Sequence, residues 1–223
     1  MSSPPEPNSQ RLAKSGRPPR AIYFDLGNVL LTFDHLRACE QMALVAGVSK
    51  DQVHDCLFES HGLQLAYERG DLTSEDFCER FRRQLDVVVE DEALLLAASD
   101  MFALNSSMIP VVTQLEICGY DLGILSNTCK AHWDFVTDGK YDFFDLFQGP
   151  TVLSYEVRSM KPAPEIYQAA IESVDCEPRE IFFMDDKLEN VEGARAAGLD
   201  AVIFTTAEQL VEELARRGVE LNA

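Results

Sequence analysis

Five side chains in this sequence are suited to holding a phosphate group beside a divalent cation. Asp25 and the adjacent pair Asp185 and Asp186 supply carboxylates, Ser126 supplies a hydroxyl group, and Lys161 supplies a positive charge. Carboxylates brought together from two places in the chain form the hard-oxygen site that Mg²⁺ prefers. Lys161 would add a point charge to a bound phosphoryl group, and Ser126 would donate a hydrogen bond to one of its oxygens.

Each of these residues also has an ordinary structural explanation when it is considered alone. An aspartate after a strand often caps a helix, and the Asp185-Asp186 pair could complement the dipole of a helix that follows it. Ser126 begins a Ser-Asn-Thr sequence that is typical of turns, and Lys161 precedes a proline. The set therefore becomes specific only if the fold brings its members together.

Short apolar runs precede these residues and predict strands that are buried on both faces. The runs cover residues 21–24, 120–125, 151–153, 181–184 and 201–204. Stretches with helical periodicity lie between the later runs, so the chain alternates strand and helix. This alternation predicts an α/β fold with a mainly parallel sheet, in which the loops at the carboxyl ends of the strands form the ligand site.

Residues from about 34 to 105 interrupt the alternation. Apolar residues recur there with helical periodicity over four stretches, of which the last runs from Ala93 to Leu104. Thr73 and Ser74 are candidate caps for the third stretch. We therefore predict a small all-α subdomain inserted just after the first strand.

The charge of the chain excludes several classes of function. Its 223 residues include 19 Lys or Arg and 38 Asp or Glu, which gives a net charge of −19. Such a surface repels nucleic acid and anionic membranes, so we expect neither as a partner. A small anionic molecule could still bind where a cation reverses the field inside one pocket.

Two further features of composition bear on where the protein works. Residues 1–20 hold half of the ten prolines and have an excess of basic side chains, so we expect a disordered leader there. The six cysteines are scattered and show neither a disulfide framework nor a zinc pattern, and no apolar run reaches the length of a membrane span. The sequence therefore predicts a protein of the reducing cytoplasm.

Four motifs, taken in order, resemble those of the haloacid dehalogenase-like (HAD) superfamily. They are Phe24-Asp25-Leu26-Gly27-Asn28-Val29, Leu125-Ser126-Asn127-Thr128, Ser154 with Lys161-Pro162-Ala163-Pro164-Glu165-Ile166-Tyr167, and Phe183-Met184-Asp185-Asp186 continuing through Asn190 to Gly198. The resemblance covers essentially residues 21–206. It implies a Rossmann-like core built from residues 21–33 and 106–223, with helices on both faces of the sheet, and a small helical cap over residues 34–105. The first motif is similar to that of a subgroup that includes sugar-1-phosphate phosphatases.

The resemblance also implies a reaction and a cofactor. Asp25 would be the nucleophile that attacks the phosphorus of a small phosphorylated metabolite and forms an aspartyl-phosphate. Mg²⁺ would be held by the Asp25 carboxylate, the backbone carbonyl of Gly27 and Asp186, with Asp185 acting through water. The other residues that the resemblance places in the site are Ser126, Asn127 and Lys161 around the phosphate, and Asn190 as a support of the metal shell. Whether the chain acts as a monomer or a homodimer stays open.

One departure from the family pattern puts the activity in question. Gly27 stands where phosphatases of the family usually have a second aspartate, which serves as general acid and then as general base. Loss of such a group typically lowers a rate by about 10²–10⁴. Asn28, Asp34 and His35 are the nearest substitutes in the sequence, and a good leaving group would reduce the need for an acid.

Three functions are therefore compatible with the sequence. The first is a phosphatase, and the second is a phosphate- and Mg²⁺-binding regulatory module with weak or no catalysis. The third is a 2-haloacid dehalogenase, which would use the same nucleophile on carbon without a metal. The retained pair Asp185 and Asp186 speaks against the dehalogenase, which has no use for metal ligands.

Overall fold

The computed structural model describes residues 18–59 and 62–221. The predicted disordered leader, residues 1–20, lies outside this part of the chain except for residues 18–20. The strands in chain order are β1 Ala21–Phe24, β2 Leu31–Phe33, β3 Phe102–Leu104, β4 Asp121–Ser126, β5 Thr151–Leu153, β6 Ile181–Asp185 and β7 Asp200–Ile203. The helices are α1 His35–Ala46, α2 Lys50–His54, α3 Leu63–Glu68, α4 Ser74–Leu85, α5 Asp91–Ser99, α6 Met108–Ile117, α7 Lys130–Thr137, α8 Ser154–Val157, α9 Pro164–Glu172, α10 Leu188–Ala196 and α11 Ala207–Arg216.

Five of the described strands form one parallel sheet in the order β5-β4-β1-β6-β7. The strand β1 occupies the centre, where it pairs with β4 on one side and β6 on the other. The α/β fold class predicted from the sequence is therefore confirmed. Because all five strands run in the same direction, their carboxyl ends meet at one edge of the sheet.

Both faces of this sheet are covered by helices. Side chains alternate along β1, so that Ile22 and Phe24 join one hydrophobic cluster and Tyr23 joins another. The first cluster includes buried side chains of α6 and α11, and the second includes buried side chains of α9 and α10. The strands are consequently buried on both sides, which explains why they appear in the sequence as continuous apolar runs.

The helices α1 to α5 pack around a hydrophobic cluster of their own, which includes Met42, Phe77 and Phe81. Local sequence defines where several of these helices begin. Asp34 accepts hydrogen bonds from the backbone N–H groups at the start of α1, and Ser49 and Thr73 form capping boxes at α2 and α4. After α2 the chain continues as one π-helical segment, Asp55–Glu59.

A short antiparallel ladder connects this helical region to the sheet layer. The strands β2 and β3 pair Leu31 with Leu104 and Phe33 with Phe102. The chain therefore enters and leaves the helical region through two adjacent strands. The predicted helix from Ala93 to Leu104 is wrong at its end, because α5 stops at Ser99 and residues 102–104 form β3. The periodicity of an apolar run as short as Phe102–Leu104 does not distinguish strand from helix, and its partner strand lies far away in the sequence.

No helix within residues 18–59 and 62–221 is long and apolar enough to span a membrane. The six cysteines all lie in this part of the chain and are free, and Cys39, Cys56, Cys78 and Cys129 are buried. These four buried cysteines belong to the hydrophobic cluster of the helical region.

Candidate active site

The catalytic candidates lie at the edge where the central strands end. Asp25 directly follows β1, Ser126 is the last residue of β4, and Asp185 is the last residue of β6. The backbone N–H of Asp25 donates to the carbonyl of Met184 at 3.0 Å, which continues the β1–β6 pairing up to the site. All three side chains are almost completely buried, so the sheet itself determines their positions.

Lys161 lies buried between two of the carboxylates. Its Nζ is 2.8 Å from Asp25 Oδ1 and 2.6 Å from Asp185 Oδ2, and it also donates to the Leu125 carbonyl at 2.9 Å. These three acceptors match the three N–H groups of an ammonium. Lys161 is therefore fixed in direct contact with the predicted nucleophile.

The side chain of Asn127 holds the backbone of Lys161 in place. Asn127 Nδ2 donates to the Lys161 carbonyl at 2.9 Å, and Asn127 Oδ1 accepts from the Lys161 N–H at 2.8 Å. Because both polar ends of the amide are engaged, any contact of Asn127 with a phosphate would fall to its backbone. The resemblance implied that Asn127 lies around the phosphate with Ser126 and Lys161, and it did not reveal this contact with the Lys161 backbone.

The carboxylate of Asp185 is saturated with hydrogen-bond donors. In addition to Lys161, it accepts from the backbone N–H of Lys187 at 2.8 Å and from Asn190 Nδ2 at 2.9 and 3.1 Å. A carboxylate that already accepts four hydrogen bonds has little capacity left for direct metal ligation. This geometry fits the expectation that Asp185 acts on a metal through water.

Asp186 is in a different environment. It is only half-buried, and its Oδ2 accepts a hydrogen bond of 2.9 Å from Asn28 Nδ2. One carboxylate oxygen each of Asp25, Asp185 and Asp186 lies within 4.8 Å of the others, so these three residues form a candidate metal site among the described residues. The buried Oδ1 of Asn190, which has no hydrogen-bond partner, is an acceptor that a metal-bound water could satisfy. Both the donor set and this open acceptor fit Mg²⁺.

The electrostatics of the cluster show an excess of negative charge. Burial raises the pKa of Asp25 to about 6, against the opposing effect of the Lys161 ammonium, and the Asp185 carboxylate adds to the rise. Burial alone would lower the pKa of Lys161, but Asp25 and Asp185 together raise it above its ordinary value. One ammonium therefore does not compensate the carboxylates around it, and a cation at this point would.

The missing second aspartate has a steric explanation. A Cβ atom added to Gly27 would lie 2.8 Å from Cε1 of Phe33, so the ring of Phe33 occupies the space that a side chain would need. Phe33 is itself held between the rings of His35 and Phe102, at centroid distances of 4.8 and 6.2 Å. An aspartate at position 27 therefore requires Phe33 to move.

The three substitutes that the sequence suggested for this aspartate differ in position. Asp34 is exposed, caps α1 and does not line the cavity, so the structure removes it as a candidate. Asn28 has an amide side chain, which does not titrate, and it is engaged with Asp186. His35 does line the cavity, but burial lowers its pKa, so the imidazole is neutral.

The cluster opens into a cavity of about 340 Å³ between the sheet edge and the helical region. Several of the residues that line it were not predicted from the sequence, because they come from elements whose contact with the sheet edge depends on the tertiary fold. These are Phe33, Leu65, Met101, Phe102, His132 and Met160. The cavity thus combines the buried charged cluster at one end with apolar and aromatic walls.

Comparisons with known proteins identify the family of this chain. Residues 19–198 match the family described as haloacid dehalogenase-like hydrolase. Since the match covers most of the chain, the chain belongs to the haloacid dehalogenase-like hydrolases.

Relatives of known name include two phosphatases with different substrates. The chain is 24% identical over 197 residues to the sesquiterpene phosphatase astK of Aspergillus oryzae, covering 87% of this chain and 94% of the relative. It is 25% identical over 191 residues to a D-ribitol-5-phosphate phosphatase of Bacteroides thetaiotaomicron, covering 80% of this chain and 88% of the relative. A HAD-family enzyme of Bacteroides thetaiotaomicron, solved with magnesium and inorganic phosphate, superposes with a TM-score of 0.72 at 25% identity, over 84% of this chain and 94% of that one.

Proposed function

We propose that this protein is a Mg²⁺-dependent phosphatase that hydrolyses a small phosphomonoester through an aspartyl-phosphate on Asp25. The observation that carries the proposal is the buried cluster in which Asp25, Asp185 and Lys161 are in contact, with Asp186 beside them. A structural ion pair would need one carboxylate for one ammonium. The surplus of buried carboxylates is costly unless a further cation is bound, and a divalent cation with a phosphate is the arrangement that uses it.

The chain's own residues divide the work of phosphoryl transfer. Asp25 Oδ1 accepts from Lys161 and from the Leu26 N–H at 2.7 Å, which fixes the carboxylate and leaves Oδ2 to attack phosphorus. We assign the contacts with the phosphoryl oxygens to Ser126 and to Lys161, which would exchange one of its three protein acceptors for a phosphoryl oxygen. Asp185 holds Lys161 in position, and Asn190 holds Asp185, through the hydrogen bonds described above.

The metal has its proposed ligands in the Asp25 carboxylate, the Gly27 carbonyl and Asp186, with Asp185 acting through water. A Mg²⁺ ion bound there would neutralise charge that accumulates on the phosphoryl oxygens during transfer. The related enzyme that was solved with magnesium and inorganic phosphate supports magnesium as the cofactor.

For the substrate we propose a sugar-phosphate-like metabolite. The cavity volume of about 340 Å³ suits a small molecule, and the Asp-Leu-Gly-Asn-Val motif is similar to that of sugar-1-phosphate phosphatases. The relative named D-ribitol-5-phosphate phosphatase supports a polyol or sugar phosphate, whereas the sesquiterpene phosphatase is named for an apolar substrate.

The proposal is tested with a phosphatase screen over a panel of phosphorylated metabolites and 4-nitrophenyl phosphate. We expect phosphate release that requires Mg²⁺, stops with EDTA and is lost in Asp25→Asn. Asp175→Asn, which changes an exposed aspartate, is the matched control and should keep full activity.

Two other outcomes would replace the proposal. Gly27 favours a regulatory module, and that function would follow if no substrate is hydrolysed while calorimetry shows Mg²⁺ and inorganic phosphate binding. Release of chloride from 2-chloropropionate without metal would instead indicate a dehalogenase.

A further inference from the structure

Hydrolysis of an ester with a poor leaving group needs a proton donor, and the sheet edge does not provide one. When Asp25 displaces an alcohol from phosphorus, the departing oxygen must be protonated to leave easily. Gly27 has no side chain, and the ring of Phe33 fills the space beside it. The donor must therefore come from another group that lines the cavity.

Among the described residues that line the cavity, few can exchange a proton there. Burial lowers the pKa of His132 to about 4 and also lowers that of His35, so both imidazoles are neutral and are weak acids. Lys187 and Glu189 are exposed at the rim. Glu68, at the end of α3, remains as a carboxylic acid among the residues that line the cavity from the helical region.

Glu68 is held in place by contacts of the end of α3 with two other segments of the chain. The Ser154 hydroxyl donates to the Glu68 carbonyl at 2.6 Å, and the hydroxyl of the preceding residue, Tyr67, accepts from the Ala131 N–H at 3.2 Å. Both contacts tie the end of α3 to the layer that carries the sheet. The carboxyl itself is oriented by Gln64, whose Nε2 donates to Glu68 Oε1 at 2.8 Å.

We propose that Glu68 is the general acid and general base of this enzyme, in place of the aspartate absent at Gly27. This inference rests on the proposed phosphatase function. In the first step an Asp25 oxygen bonds to phosphorus, the bond from phosphorus to the alcohol oxygen breaks, and the proton of Glu68 passes to that oxygen. In the second step the Glu68 carboxylate takes a proton from water as the water oxygen attacks phosphorus, which releases inorganic phosphate and restores both Asp25 and protonated Glu68.

The surroundings of Glu68 allow it to carry a proton. Burial raises the pKa of Glu68, while the hydrogen bond from Gln64 and the charge of Lys187 oppose the rise. Lys187 faces it from the start of α10, and the Cys129 thiol faces it from the start of α7. Burial raises the pKa of Cys129 as well, so this thiol remains neutral.

The test compares two substrates that differ mainly in the basicity of the leaving group. Phenyl phosphate and 4-nitrophenyl phosphate have similar shapes, but phenolate is the stronger base and depends more on an acid. We expect Glu68→Gln to lower kcat/KM about 10²-fold for phenyl phosphate and less than about 10-fold for 4-nitrophenyl phosphate. Glu75→Gln, an exposed change in the first turn of α4, should leave both values unchanged.

Several results would overturn the inference. Equal losses on the two substrates would indicate that Glu68 positions the substrate, and unchanged values would exclude any role. If urea unfolding shows that the variant does not fold, the wild-type protein is assayed on both substrates. A steep decrease of its kcat/KM from 4-nitrophenyl phosphate to phenyl phosphate would show that no acid operates. A wild-type protein inactive on both substrates would overturn the proposed function, and this inference with it.

Discussion

At the scale of single residues, the balance of charge around Lys161 is the most informative feature of the molecule. This ammonium is buried against Asp25 and Asp185, and the pKa of Asp25 stays raised in spite of it. Removing one partner of a buried ion pair leaves charge that neither water nor a counterion compensates. The burial of the Asp25 and Asp185 carboxylates is therefore unfavourable, and Lys161 compensates only part of its free-energy cost.

The substitution Lys161→Met should expose this cost directly. In EDTA we expect it to lower the free energy of unfolding by about 3–5 kcal/mol, because Asp25 and Asp185 lose their common counterion. Added Mg²⁺ should restore part of the loss. The measurement is urea unfolding with and without the metal, and Lys50→Met, which changes a partly exposed lysine paired with Glu40, should have little effect in either condition.

The loss should also depend on pH in a defined direction. The pKa of Asp25 is already about 6 in the folded protein, against an ordinary value of 3.8, and removal of Lys161 raises it further. The folded variant then binds a proton that the unfolded chain does not, so its stability rises as the pH falls through the folded pKa. A deficit that stays constant between pH 8 and pH 5.5 would contradict this view of the cluster.

At the scale of elements, the end of α3 determines how the helical region meets the sheet layer. Gly70 follows this helix with a φ of +78°, and a Cβ atom there would overlap the carbonyl oxygen of Tyr155 in α8. Gly70 is needed both for its backbone conformation and for this close approach. Together with the Tyr67 and Glu68 contacts, it brings the helical region onto the cavity.

Two glycine substitutions separate these two requirements. Gly62→Ala changes a glycine with a φ of +54° and open space around it, so it should cost only the about 1–2 kcal/mol of a left-handed conformation. Gly70→Ala should cost clearly more and should also lower kcat/KM, because the carbonyl of Tyr155 must move away from α3. Urea unfolding and phosphatase assays of both variants provide the comparison, and equal effects would show that the contact with Tyr155 is unimportant.

The elements also show where reasoning from sequence succeeded. The apolar runs ending at Phe24, Leu125 and Met184 predicted the central strands because buried parallel strands need apolar residues on both faces. The ladder of β2 and β3 was missed because strands of three residues have no readable period, and because their pairing depends on the fold. The helix α3 was also missed, because its 6 residues are too few to show a helical period.

At the scale of the whole molecule, the sequence indicated which residues belong together but not what each one contacts. The parallel sheet brings Asp25, Ser126 and Asp185 to one edge, as the order of strands and loops predicts. It could not be foreseen that Asp185 is saturated by Lys161, Lys187 and Asn190, since those bonds depend on side-chain geometry. Nor could the proximity of Phe33 to Gly27 be read from spacing alone.

The net charge of −19 also takes on meaning at this scale. A phosphate approaching such a protein is repelled over most of the surface. Inside the cavity, Lys161 and a bound cation would reverse the field over the short distance that a phosphoryl group occupies. Phosphate binding should therefore depend on the cation because of the net charge of the whole molecule, and not only because of the residues that hold the metal.

The central claim is that Asp25 becomes covalently phosphorylated, and mass spectrometry of acid-quenched reactions tests it most directly. Wild-type protein mixed with Mg²⁺ and 4-nitrophenyl phosphate should carry one added phosphoryl group, located on the peptide that contains Asp25 and removed by hydroxylamine, while Asp25→Asn should carry none. Turnover with the phosphoryl group on another residue, or turnover that persists in Asp25→Asn, would contradict the account.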